Sequence, residues 1–190
     1  MASDAPKAIG VQATQPTSGS VNLVTKSHIL HPDFHLTFEL NKARIPVTDG
    51  AASGSYGSLK LLDFVEGAIA FIGSRQNYTA FAEGSALTTG AGDAVHVLGV
   101  GSAAAATARD GTLTSTEQDI GAVTSQITNV GGTGTLATKL TGALSTPLDG
   151  TATAKSLYLN WSGTATTIDA NSYIDVTGTI TVSGRFLGDD

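Results

Sequence analysis

The chain has 190 residues and no cysteine, which excludes disulfides, thiolate metal sites and a cysteine nucleophile together. Charge is scarce: 14% of residues are charged, against about 25% in ordinary soluble domains. The basic residues Lys7, Lys26, Lys42, Arg44, Lys60, Arg75, Arg109, Lys139, Lys155 and Arg185 form no cluster. Phosphate neutralisation needs a basic stripe, so nucleic acid is not an expected partner. No apolar run approaches the ~20 residues of a bilayer-spanning helix, and a segment such as Ala68 to Ile72 is typical of the longest. Membrane insertion is not expected. The first residues, Met-Ala-Ser-Asp-Ala-Pro-Lys, have neither the charged start nor the apolar stretch of a secretory signal. The expectation is a protein made in the cytoplasm.

Aromatics are few, 6% with a single tryptophan, yet 41% of residues are hydrophobic and glycine is abundant at 23. A mean hydropathy of +0.11 does not fit a disordered chain, which combines low hydrophobicity with high net charge. The formal charge is −6. The length suits one domain with a genuine core, with room for a tail.

Residues 1–30 read as an extended N-terminal arm, with Pro6, Gly10, Pro16 and Gly19 among small polar residues. Chain ends stay disordered unless tied down. However, Ile9, Val11, Val21, Leu23, Val24, Ile29 and Leu30 are too many apolar side chains to leave solvated. These seven are the candidate interface residues, expected to lie across a neighbouring subunit.

Residues 31–190 read as a β-sandwich or jelly-roll-like domain. Phe34, Leu36, Phe38 and Leu40 alternate with His35, Thr37, Glu39 and Asn41, the period of a strand with one buried face. Pro46 between Ile45 and Val47 disfavours a central strand, and Asp49 to Ser58 reads as a Gly/Ser-rich loop. Leu59 to Phe64 and Ala68 to Ile72 read as strands, and Phe81, Val95, Val97 and Val100 point to more. The four alanines after Gly101 leave helix and strand open. Thr114-Ser-Thr-Glu117 matches a capping box and predicts one short helical turn over 115–120. Leu157, Leu159 and Trp161 share one parity, as do Ile174, Val176, Ile180, Val182 and Phe186. Gly178 and Gly184 on that second core face predict a bend or a close approach. Short strands separated by Gly, Asp and Thr turns point to an all-β, antiparallel sandwich with at most one or two helical turns.

The search for chemistry yields no catalytic residues, no cofactor site and no metal site. His31 and His35 have helical ligand spacing, but on extended chain they stand about 13 Å apart and cannot share an ion. His96, in the apolar run Val95 to Leu98, reads as structural. Asp49-Gly50, Asp110-Gly111 and Asp149-Gly150 lack the further oxygen donors of a calcium loop and read as turns. Gly131 to Gly134 lacks the Lys-Ser/Thr of a phosphate loop. Asn77-Tyr-Thr79 and Asn160-Trp-Ser162 fit the glycosylation pattern, which is common by chance.

Three blocks carry a resemblance. They are Val47-Thr-Asp-Gly-Ala-Ala-Ser-Gly-Ser-Tyr-Gly-Ser58 with Leu-Lys-Leu-Leu-Asp-Phe64, then Gly111-Thr-Leu-Thr-Ser-Thr-Glu-Gln-Asp-Ile120, then Val176-Thr-Gly-Thr-Ile-Thr-Val-Ser-Gly184. In this order they resemble capsid cement, or decoration, proteins of short-tailed and related tailed phages, over roughly residues 34 to 187. The resemblance implies a non-enzymatic, jelly-roll-like virion protein on the capsid surface, bridging major capsid protein subunits; the scarcity of charge adds the expectation of self-association, as a dimer or trimer. It carries no catalytic residue over. Deleting residues 1–30 is expected to weaken shell attachment and leave the domain folded. The alternatives are a phage tail or fibre component and a carbohydrate-binding β-sandwich, the latter needing exposed aromatics.

Overall fold

The computed structural model describes residues 18–25, 33–49, 54–64, 66–83, 94–106, 112–123, 127–129, 133–134, 138–142, 144, 146–163 and 173–188. The fold is all-β and antiparallel. Its strands are β1 (Ser20–Thr25), β2 (Asp33–Asp49), β3 (Ser55–Asp63), β4 (Ala68–Glu83), β5 (Ala94–Gly101), β6 (Ile127–Asn129), β7 (Thr133–Gly134), β8 (Thr138–Thr141), β9 (Ser156–Gly163) and β10 (Tyr173–Gly188). The only helical element among the described residues is a 3-10 turn, Ser115–Glu117.

The strands follow one curled path, β6-β5-β9-β3-β2-β10-β4-β7, with β1 on β2 and β8 on β4. β2 belongs to both layers of the sandwich. Its residues from Asp33 to Pro46 pair with β10, while Val47 to Asp49 pair with β3. The strand therefore runs unbroken through Pro46, against the expected interruption. Pro46 lies beyond the end of β1 at Asn41 and before the start of β3 pairing at Val47, so a strand flanks it on one side only. That is a position a proline tolerates. Ser55 to Ser58, expected as loop, are the first half of β3.

The alternation in β2 holds as far as Leu40 and then resets. Phe34, Leu36, Phe38 and Leu40 are buried, and past Asn41-Lys42 the buried set becomes Ala43, Ile45 and Val47. A bulge causes the shift: Lys42 has a φ of 50°, and both Asn41 and Lys42 lie opposite Thr177. Across Thr177, β4 carries a matching irregularity at Thr79. The Lys42 amide donates to Thr177 Oγ1 at 3.2 Å, and Thr79 Oγ1 donates to the Thr177 carbonyl at 3.4 Å. Three adjacent strands thus bend along one line, because a bulge raises local twist. Gly178 occupies that line with a φ of 154°. Gly184 marks the close approach, since a Cβ there would stand 2.4 Å from the Phe34 ring.

The core fills the space between the layers. At one end Phe34, Phe64, Phe71 and Phe186 meet edge-on or tilted, with centroid separations from 5.1 to 6.2 Å. Such offset geometries are the favourable ones for aromatic quadrupoles. Further along, Ile174, Val176, Ile180 and Val182 of β10 share one cluster with Leu59, Leu98, Val100, Leu157, Leu159 and Trp161 of the second layer.

Ser20–Thr25, within the stretch expected as an arm, is a strand of this sheet, in register with Asn41 to Leu36. Val21 is fully buried in the chain's own core.

Candidate functional site

The two outer faces of the sandwich differ. On the second layer, residues 102–106 and 112–123, the described parts of the segment 102–123, fold back over β9 and β5 and pack Ala105 and Leu113 on Val97, with Tyr56 and Val123 at the margin. Asn160 holds it down. This fully buried side chain accepts from Ser58 Oγ and the Ala105 amide through Oδ1, and donates to the carbonyls of Ala103 and Glu117 through Nδ2. The Glu117 carboxylate accepts from the amides of Thr114 and Ala106, which is the glutamate half of the expected capping box. Asp119 accepts from the amide and hydroxyl of Ser102. Burial nevertheless pushes its carboxyl above the ordinary value of 3.8, because an apolar surround disfavours the charged form. The buried Asn160 and Glu117 side chains and the half-buried Asp119 therefore spend hydrogen bonds on fixing the shape of a surface segment.

The same segment closes the open side of the sandwich. Ser74 Oγ of β4 donates to the Ile120 carbonyl at 2.7 Å, Gln76 Nε2 donates to the Ala122 carbonyl at 2.8 Å, and the Ala122 amide donates to Thr141 Oγ1 of β8 at 3.0 Å. Tyr78 supports Gln76 by donating its hydroxyl to Oε1.

Between the layers, His96 is buried and stacks on Trp161. The Trp161 Nε1–H and the Ser55 hydroxyl, both fully buried, find no partner among the described residues.

On the first layer, the outer face of β2 and β10 carries a ladder of polar pairs. Arg44 grips Asp175 with two hydrogen bonds of 2.8 Å and lies over the Tyr173 ring, its Cζ 3.3 Å from the centroid. His35 bonds Ser183 at 2.8 Å, Thr37 bonds Thr181 at 3.3 Å, and at the far end Arg185 grips Asp33 in the same two-pronged way. The hydrogen bond to Asp175 raises the Arg44 pKa further above its ordinary value. Between the two pairs the face carries short hydroxyls on β10, with the exposed Glu39 and Lys42 of β2 and Arg75 of β4 beside them.

Of the residues singled out from the sequence, Ile9, Val11, Ile29 and Leu30 lie outside the described residues, as do His31 and the Asp110-Gly111 pair. Val21 is core and not surface, Leu23 is half-buried against the core, and Val24 is 42% exposed on the outer face. Only Val24, of the seven interface candidates, is described as an exposed side chain. Asp149-Gly150 lies outside any strand, with Asp149 accepting from the Thr151 amide and hydroxyl. Asn160 is too deeply buried to accept a glycan. Sequence reading missed the Asn160 hub and the two Arg–Asp pairs. The signal for the pairs was present: β2 carries Asp33 then Arg44, β10 carries Asp175 then Arg185, the order that antiparallel pairing needs.

No family model matches this chain, and no curated protein or solved structure matches it.

Proposed function

We propose that the chain is a non-enzymatic structural virion protein: a capsid cement, or decoration, protein that binds the outer surface of a phage head and bridges major capsid protein subunits. The observation that favours a structural role is the use of buried polarity. Asn160, Glu117, Ser74 and Gln76 hold a surface segment on the sandwich and tie its two layers together. A cement protein needs a body that keeps its shape while neighbours pull on it, and side chains spent this way supply one. The ordered resemblance of residues 34 to 187 adds the specific class, and scarce charge suits a surface covered by neighbours.

The carbohydrate-binding reading is the weaker one, because Trp161 and Tyr78 are buried in the core and Tyr56, Tyr158 and Tyr173 are only half-exposed.

The N-terminal arm needs redefinition in this reading. Removing residues 1–30 strips β1 and its buried Val21, so it tests the fold together with attachment. Removal of residues 1–17 leaves β1 in place. The full chain is expected to co-sediment with empty heads of the encoding phage, and the 1–17 deletion to be lost from them more readily, mainly through faster dissociation. Cryo-electron microscopy of purified virions separates the head from the tail. Density for the chain on tail or fibre alone, or no binding of the full chain to heads, overturns the proposal.

A further inference from the structure

The polar ladder on β2 and β10 has a charge pattern that selects a partner. At one end the negative group, Asp33, is on β2 and the positive group, Arg185, is on β10. At the other end the signs are exchanged, with Arg44 on β2 and Asp175 on β10. The two pairs stand roughly 30 Å apart at about 3.3 Å per residue. The ends also differ in depth. Side chains of Arg185 and Asp33 are 53% and 45% exposed, those of Arg44 and Asp175 only 26% and 15%. The Arg185–Asp33 end projects, and the Arg44–Asp175 end is recessed, with Arg44 packed over the Tyr173 ring.

We infer that this face binds a second copy of the chain through a twofold axis lying in the interface across the strands. That rotation lays β2 over β2 with direction reversed. Asp33 then faces Arg44 of the second copy, and Arg185 faces Asp175 of the second copy, so opposite charges meet at both ends. It also sets each projecting end on a recessed one. A twofold axis along the strands matches the charges too, but it sets projecting end on projecting end and leaves the recessed ends apart. Near the axis Thr181 meets Thr179 of the second copy, while the exposed Glu39 of β2 and Arg75 of β4 lie beside them, opposite Thr37 and Asn77 of the second copy. An isologous contact requires this self-complementarity, and a partner of uniform charge would be repelled at one group of every pair. Four strands at about 4.8 Å spacing over this length give about 600 Å² per copy, the lower end of stable interfaces. The other outer face is covered by the chain's own segment 102–123. The inference rests on this face alone and is independent of a role on a phage head.

Exchanging charges within a pair tests it, because the pair inside each chain survives. Sedimentation equilibrium of the full chain is expected to show a dimer. In the variant D33R with R185D, like charges face each other across the axis, and the dimer dissociation constant is expected to rise at least tenfold with unchanged circular dichroism, about the scale of one lost charge contact. Adding R44D with D175R restores opposition and is expected to return the constant to near the starting value. Raising salt from about 0.05 to 0.5 M shortens the screening length and is expected to weaken the wild-type dimer more than the first variant. A monomeric wild type, a first variant that dimerises as well as wild type, or a folded four-fold variant that stays dissociated each overturns the inference. If the four-fold variant does not fold, the salt comparison decides, and equal salt dependence of wild type and first variant overturns it.

Discussion

The indole of Trp161 lies against the imidazole of His96, ring centroids 5.6 Å apart and planes inclined by 29°. Their neighbour Gly163 has no side chain to keep them apart: a Cβ there would stand 2.6 Å from the indole. This contact fills the end of the core away from the phenylalanine group.

Two energies oppose each other at Trp161. Removing the whole side chain leaves a large cavity, and Trp161→Ala is expected to cost about 3–5 kcal/mol. Trp161→Phe also leaves a gap, but it removes a buried N–H that lacks an acceptor among the described residues, a liability of about 1–3 kcal/mol. The phenylalanine variant is therefore expected to lose less than about 1.5 kcal/mol. Urea unfolding followed by far-ultraviolet circular dichroism measures both. A loss for Trp161→Phe well above about 1.5 kcal/mol would show that the N–H carries no such penalty.

Asn160 tests the attachment of segment 102–123. Asn160→Ala strands the carbonyls of Ala103 and Glu117, at about 1–3 kcal/mol for each group that stays buried, and leaves the Ala105 amide on Ser58 Oγ alone. Asn160→Asp keeps an acceptor for Ala105 but turns a carboxylate oxygen toward two carbonyls, and is expected to be nearly as costly. Amide exchange at Ala105 and Ala103 is expected to quicken in the alanine variant more than exchange in β10. Uniform quickening across the molecule would assign Asn160 to global stability instead.

Asp119 gives a pH dependence whose sign follows from its raised pKa. Above the ordinary value of 3.8, the unfolded chain has released the proton while the folded chain still holds it. Stability from this group is greatest below that value and falls as pH rises through the folded pKa, since the folded state binds more protons in that window. Asp119→Asn keeps an acceptor for the Ser102 amide and removes the titration. Unfolding free energies across this pH range are expected to decline in wild type and to stay flatter in the variant. Parallel curves would refute the assignment.

Periodicity made the central strands legible. Phe34 to Leu40, Leu157 to Trp161 and Ile174 to Phe186 each bury the face their alternation marks, because a strand with one wet side must alternate. Gly178 and Gly184 were legible as irregular points for the same reason: a glycine on a core face leaves a space that a bend or a ring takes up. Pro46 misled, since proline excludes two-sided pairing and not the strand itself. Ser55 to Ser58 misled because small polar residues mark loops on average, whereas here neighbouring strands cover them. Asn160 resembles any polar residue on an outward parity. Its role depends on segment 102–123 arriving above it, a tertiary event with no local signature.

β10 lies in the middle of its layer but comes last of the described strands. Hydrogen bonds between β2 and β10 join side chains 131 to 152 positions apart, and β2 reaches β4 only through β10. Pairings of such range form slowly, because loop closure costs entropy before any contact repays it. A growing chain therefore leaves the ribosome with two apolar strands awaiting the one between them, and sheet edges exposed meanwhile invite aggregation. Assembly of this layer thus waits for β10 to be made, so that a chain terminated before it cannot join β2 to β4.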